Sequence, residues 1–129
     1  MATGTSVRRI TYPKIAAIGP PQGLTERAAV RPAMIVHVVL MQWKDRVGPL
    51  EIERAKAAYL GLASKVPGIT SAYWGRSTER RGAKFQGMAM LVAESRAALD
   101  AYNAHPDHAA LAKMVDAMVR KFVDADMET

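Results

Sequence analysis

Ile35-Val36-His37-Val38-Val39-Leu40-Met41-Gln42-Trp43 is the stretch from which the fold can be read. Alternate residues of a β-strand point to opposite faces of its sheet. His37, Val39, Met41 and Trp43 therefore share one face, and Val36, Val38 and Leu40 share the other. Apart from the histidine, both sets are apolar. A strand that is apolar on both sides has to be covered on both sides.

Working outward, Asp45 to Gly48 turn the chain, and Pro49 suits the first position of a helix. Ile52, Ala55, Tyr59, Leu62 and Val66 then recur at helical spacing until Pro67-Gly68 stops the pattern. Ile69 to Gly75 reads as a second strand, Glu79 to Lys84 as a charged hairpin loop and Gln86 to Ala93 as a third strand. Ser95 is an N-cap for a short helix reaching Tyr102. Pro106 opens another helix, with Leu111, Met114, Val115, Met118 and Phe122 as its apolar face, and a last strand runs roughly from Lys121 to Met127.

The order strand, helix, strand, strand, helix, strand is that of an α+β, ferredoxin-like βαββαβ domain, a four-stranded antiparallel sheet with helices on one face. The uncovered face is expected to show His37, Val39, Met41, Trp43, Met88, Met90 and Val92. Water does not tolerate so large an apolar patch. Two such sheets packed face to face cover one another, which predicts a homodimer with a barrel-like interior.

The net charge of +6 looks like a nucleic-acid signal until it is divided along the chain. Residues 1–33 hold Arg8, Arg9, Lys14, Arg27 and Arg31 against Glu26, whereas residues 34–129 carry 13 basic and 11 acidic residues. The domain itself is nearly balanced, so no nucleic-acid partner is expected. Residues 1–33, with Pro13, Pro20, Pro21 and Pro32, read as a disordered extension, and Met34 as the natural start of the domain 34–129. Docking of that extension on a partner is the alternative. The chain has no cysteine, which excludes disulfides, thiolate zinc sites and cysteine nucleophiles. No apolar run approaches the ~18 residues that span a membrane. A soluble, cytoplasmic protein without a membrane partner is expected.

Four motifs in this order resemble the family of stress-responsive dimeric α/β barrel proteins across 34–129. They are Met34 to Leu40, Val66-Pro67-Gly68-Ile69, Tyr73-Trp74-Gly75 and Tyr102-Asn103-Ala104-His105-Pro106-Asp107-His108. One branch of that family contains a plant polyketide cyclase that closes a linear polyketone by aldol condensation without a cofactor. The resemblance implies roles for particular residues. His37 stands at that branch's first-strand histidine, Tyr102 at its pocket tyrosine, His108 at its proposed base and Tyr59 at a helix tyrosine lining the cavity. The chain departs from the pattern elsewhere. Gly87-Met88-Ala89-Met90 lacks the third-strand histidine of many members, Val119 replaces a tryptophan, and Ala125-Asp126-Met127 replaces Phe-Asp-Tyr.

The residues themselves are compatible with such chemistry. A histidine in the first turn of a helix is favoured as the neutral ring, which suits His108 as a general base. Tyr102 could then donate to the enolate oxygen, with His37 orienting substrate or base. The plainer alternatives are that His105 or His108 caps the helix, that Tyr102 bonds to backbone and that His37 is core. Tyr59, Val39, Met41 and Met90 are expected to line a ligand cavity, together with Val92, Val119 and Phe122. His105-x-x-His108 with His37 could in principle offer three imidazoles to zinc. Pro106 interrupts the pair and no glutamate stands at metalloprotease spacing, so neither a metal nor another cofactor is expected.

The leading expectation is a homodimer binding an apolar or aromatic metabolite, with a cofactor-free cyclase or lyase activity. A non-enzymatic stress protein is the alternative, and it predicts a filled interior. A cofactor-independent monooxygenase is a third reading, by analogy of fold alone.

Overall fold

A computed structural model describes residues 33–78 and 84–129. The expectations for residues 1–32, and most of the charged hairpin from Glu79 onward, lie outside the described residues. The elements are β1 (Ile35–Trp43), α1 (Pro49–Lys65), β2 (Ile69–Arg76), β3 (Gly87–Ala93), α2 (Arg96–Ala104), α3 (Pro106–Met118) and β4 (Val119–Glu128). They form one antiparallel four-stranded sheet in the order β2-β3-β1-β4, the ferredoxin-like arrangement expected from the sequence. No helix among the described residues is long and apolar enough to cross a membrane.

Local chemistry sets the boundaries. Pro49 occupies the start of α1, and the Glu51 carboxylate accepts from the Gly48 N–H at 3.4 Å. The Ser95 hydroxyl caps α2 by accepting from the Ala98 N–H at 3.1 Å. Between α1 and β2, Gly68 adopts φ +90°, and a Cβ there would lie 2.6 Å from the Ala98 Cβ. Only glycine satisfies both the left-handed turn and the close approach of α2.

The helices pack on one face of the sheet around Ile35, Met41, Leu62, Leu91 and Leu99, all fully buried. The register decides which face that is. Val36, Val38 and Leu40 of β1 lie opposite Val92, Met90 and Met88 of β3, and His37 lies opposite Leu91. Leu91 is fully buried, as are Met41 and Ala93, so His37, Val39, Met41 and Trp43 face the helices. The assignment of those four residues to the uncovered face is therefore corrected. The open face instead combines Val36, Val38 and Leu40 with exposed Tyr73, Met88, Met90, Val123 and Met127. β1 is apolar on both sides, so its own alternation could not choose. The choice is made by β3, whose small Ala89 and Ala93 fit beneath helices while its methionines point outward.

One boundary also moves. α3 ends at Met118, and β4 begins directly at Val119, two residues before the expected start at Lys121. Phe122 consequently belongs to the strand rather than to the apolar face of the helix. A bulge between Gln42 and Trp43 adjusts the register where β4 starts, with Trp43 opposite Val119 and Met41 opposite Phe122.

Candidate functional site

A cavity of about 330 Å³ lies between the helix-facing side of the sheet and the helices. β1 supplies His37, Val39 and Met41 to it, α1 supplies Tyr59, and α2 supplies Tyr102 and Asn103. His108, Leu111, Ala112 and Val115 come from α3, Phe122, Asp124 and Asp126 from β4, and Trp74 and Ala89 from the middle strands. The chamber is thus lined by residues of a single chain. Its expected position between two facing sheets is corrected along with the orientation of β1.

The histidine motif has two separate jobs. His105 is extended and caps α3, its Nδ1 accepting from the Asp107 N–H at 3.0 Å. The Asp107 carboxylate meets the Lys65 ammonium at 2.7 Å, which holds its pKa below the usual carboxylate value. This fixes the first turn of α3 against the end of α1. With the turn held, His108 reaches the chamber and its ring packs T-shaped against that of Tyr102, at 5.1 Å between centroids.

The electrostatics keep these groups uncharged. Burial, and secondarily the nearby His37, push the pKa of His108 below its ordinary value of 6.5. Burial raises the Tyr102 phenol to about 12. Burial and then the neighbouring Tyr102 raise the Tyr59 phenol above its normal range. At neutral pH the chamber therefore offers the unprotonated His108 imidazole and two protonated phenols. The Tyr59 hydroxyl is buried and finds no hydrogen-bond partner among the described residues.

On the other wall, His37 Nδ1 lies 2.6 Å from the Asp126 carboxylate, which also lies 3.4 Å from the Arg96 guanidinium. The hydrogen bond from His37, with help from Arg96, holds Asp126 below the usual carboxylate range. With Asp126 ionised, Nδ1–H is the donor, and the ring is fixed in one orientation.

Of the residues singled out from sequence, His108, Tyr102, His37, Tyr59, Val39, Met41 and Phe122 come together in this chamber. Met90 and Val92 do not. They project from the opposite face of the sheet, because they alternate with the buried Ala89, Leu91 and Ala93. Val119 is buried opposite Trp43 at the start of β4 and is not in the chamber wall. Sequence reasoning missed Asp126, Asp124, Trp74 and Asn103. Asp126 was detectable in principle, since it pairs directly with His37 once β4 is in register. Among the described residues no three His, Asp or Glu side chains are arranged to hold a metal ion.

Residues 35–129 match the family described as the Stress responsive A/B Barrel Domain. No curated protein matches the sequence significantly. Among solved structures, a dimeric ferredoxin-like protein of unknown function from Jannaschia sp. CCS1 is 27% identical, with a TM-score of 0.68 over 74% of this chain and 99% of that one. A Dabb family protein of ferredoxin-like fold from Mesorhizobium loti is 26% identical, with a TM-score of 0.65 over 74% of this chain and 95% of its own. The hydroxynitrile lyase of Passiflora edulis superposes with a TM-score of 0.70 at 20% identity, covering 76% of this chain and 94% of the lyase.

Proposed function

The chain belongs to the stress-responsive A/B barrel domain family, and on that basis we propose that it is a small homodimeric protein that binds an apolar or aromatic carbonyl metabolite and acts on it by cofactor-free proton transfer of the lyase or cyclase type. The observation that carries this reading is the convergence of His108, Tyr102 and the His37–Asp126 pair on one mainly apolar chamber of about 330 Å³. That volume is within the range of small-molecule pockets, ~300–1,000 Å³. It also weighs against a filled, purely structural interior.

In the proposed step the neutral His108 ring takes a proton from the carbon next to a carbonyl. The electron pair moves onto the carbonyl oxygen, and the Tyr102 hydroxyl donates to the developing charge. The resulting carbanion equivalent either attacks a second carbonyl or is reprotonated by His108. His37, held by Asp126, orients the ligand from the sheet side. The hydroxynitrile lyase has the same fold, and at its identity the likeness supports the scaffold alone; the chemistry rests on the chamber.

The partner is a second copy of the chain. The open sheet face exposes Tyr73, Met88, Met90, Val123 and Met127 side by side, and a patch of that kind calls for a cover. The dimeric Jannaschia relative supports the same arrangement. The proposed domain is 34–129, and the cytoplasm is the proposed location.

Exchange of the methyl protons of an aryl ketone such as acetophenone into deuterated water, followed by NMR, tests the chemistry. The wild-type chain is expected to accelerate exchange. His108→Ala should lower the rate by roughly 100-fold and Tyr102→Phe by a similar order. Equal rates for both variants and the wild type would overturn the assignment.

A further inference from the structure

A second cavity, of about 300 Å³, shares the Trp74 side chain with the chamber as a lining residue. We propose that it is a separate binding site for a small aromatic anion of the aryl carboxylate or sulfonate type. The ring would lie against the Trp43–Trp74 pair, and the charge would sit between Lys56 and Arg76.

The aromatic wall is a built feature. The two indoles stack with centroids 6.2 Å apart and planes 25° from parallel. Trp43 is seated on the backbone of Gly87, where any Cβ would lie 2.6 Å from its Cζ2. The Trp43 backbone N–H donates to the Gln86 side-chain oxygen at 2.8 Å, which anchors the strand position that carries the ring. Trp74 is only half-buried, so the stack keeps aromatic surface accessible at the cavity. Stacked or offset aromatic rings attract a further ring at their face or edge.

The rim supplies the sign of charge. Lys56, Arg76 and Glu53 stand around the opening, and none forms a salt bridge among the described residues. Among the described residues lining it, two cations against one carboxylate leave a positive balance. The Gln86 carboxamide accepts with its oxygen, and its NH₂ group has no partner among the described residues, so it can donate to an anion. Arginine also pairs with carboxylate or sulfonate oxygens while lying flat on an aromatic face. Ile52 closes the apolar side. An uncharged ligand would leave these donors unused, and a cation would be repelled.

Trp43 lines this cavity and not the catalytic chamber, whereas Trp74 lines both. These are the two tryptophans of the chain, so two indole N–H resonances report on the two sites. The test titrates the full chain with 8-anilino-1-naphthalenesulfonate and, separately, with neutral N-phenyl-1-naphthylamine. The sulfonate is expected to shift the Trp43 resonance. The double variant Lys56→Gln/Arg76→Gln should weaken the sulfonate by roughly tenfold or more while changing the neutral amine by less than about twofold. His108→Ala should leave sulfonate affinity unchanged, so this site and the chemistry of the chamber stand or fall separately. A sulfonate that shifts Trp74 but not Trp43, or that binds the double variant as tightly as the wild type, would overturn the proposal.

Discussion

His108 carries a pH dependence just below neutrality. Its folded pKa lies below 6.5 because the protonated ring is poorly solvated and faces His37. When the pH falls through 6.5, the unfolded chain takes up this proton before the folded chain does. Stability contributed by the neutral ring is therefore full above that value and declines as the pH drops toward the folded pKa. Urea unfolding of wild type and His108→Gln at pH 7.5 and 5.5 should show the larger acid loss in the wild type. The proton-transfer rate should likewise be flat above neutrality and fall only below pH 6.5. Asp126 acts in a lower window. Its depressed pKa gives stability that is present above the ordinary 3.8 and lost as the pH falls through the folded value. Both partners of the His37–Asp126 contact are partly open to solvent, so Asp126→Asn should cost less than about 1 kcal/mol. The same substitution should change the His37 tautomer, visible in its ring nitrogen shifts, and lower turnover by about tenfold or more. For Tyr59, whose hydroxyl has no partner, Tyr59→Phe should leave stability unchanged or raise it by up to about 1 kcal/mol in urea unfolding.

The elements owe their placement to a few residues that leave no choice. Gly68 is one, with its positive φ and the Ala98 methyl group against it. Gly68→Ala should destabilise by at least about 1 kcal/mol, read as a lower urea midpoint with the slope unchanged. Such punctuation is what made the order of elements legible. Pro49, Pro67-Gly68, Ser95 and Pro106 each mark a boundary that the chain obeys. Two things were not legible. The joint between α3 and β4 carries no proline or glycine, so the apolar periodicity ran on through Phe122 into what is strand. The orientation of β1 depends on which face of β3 carries small residues, a relation between strands rather than within one. The site inherits this division. His108, Tyr102 and His37 stand out by residue type, but Asp126 is an ordinary exposed aspartate until the sheet sets it opposite His37.

For the whole molecule, a chamber lined by one chain predicts that assembly and the proposed chemistry are separable. Met90→Glu, on the open face, should drive the dimer to monomers in sedimentation velocity while the chamber keeps its His108 and Tyr102 contact. In mixtures with the His108→Ala chain, activity should fall in proportion to the inactive fraction. A steeper fall would mean that the two copies share a site. The alternation of β1 has a further result. Its odd-numbered positions face the helices, with His37, Val39 and Met41 lining the chamber, and its even-numbered positions lie on the open face of the sheet. Inserting or deleting one residue before His37 while the pairing held would exchange the two surfaces, sending valines into the chamber and the imidazole onto the open face.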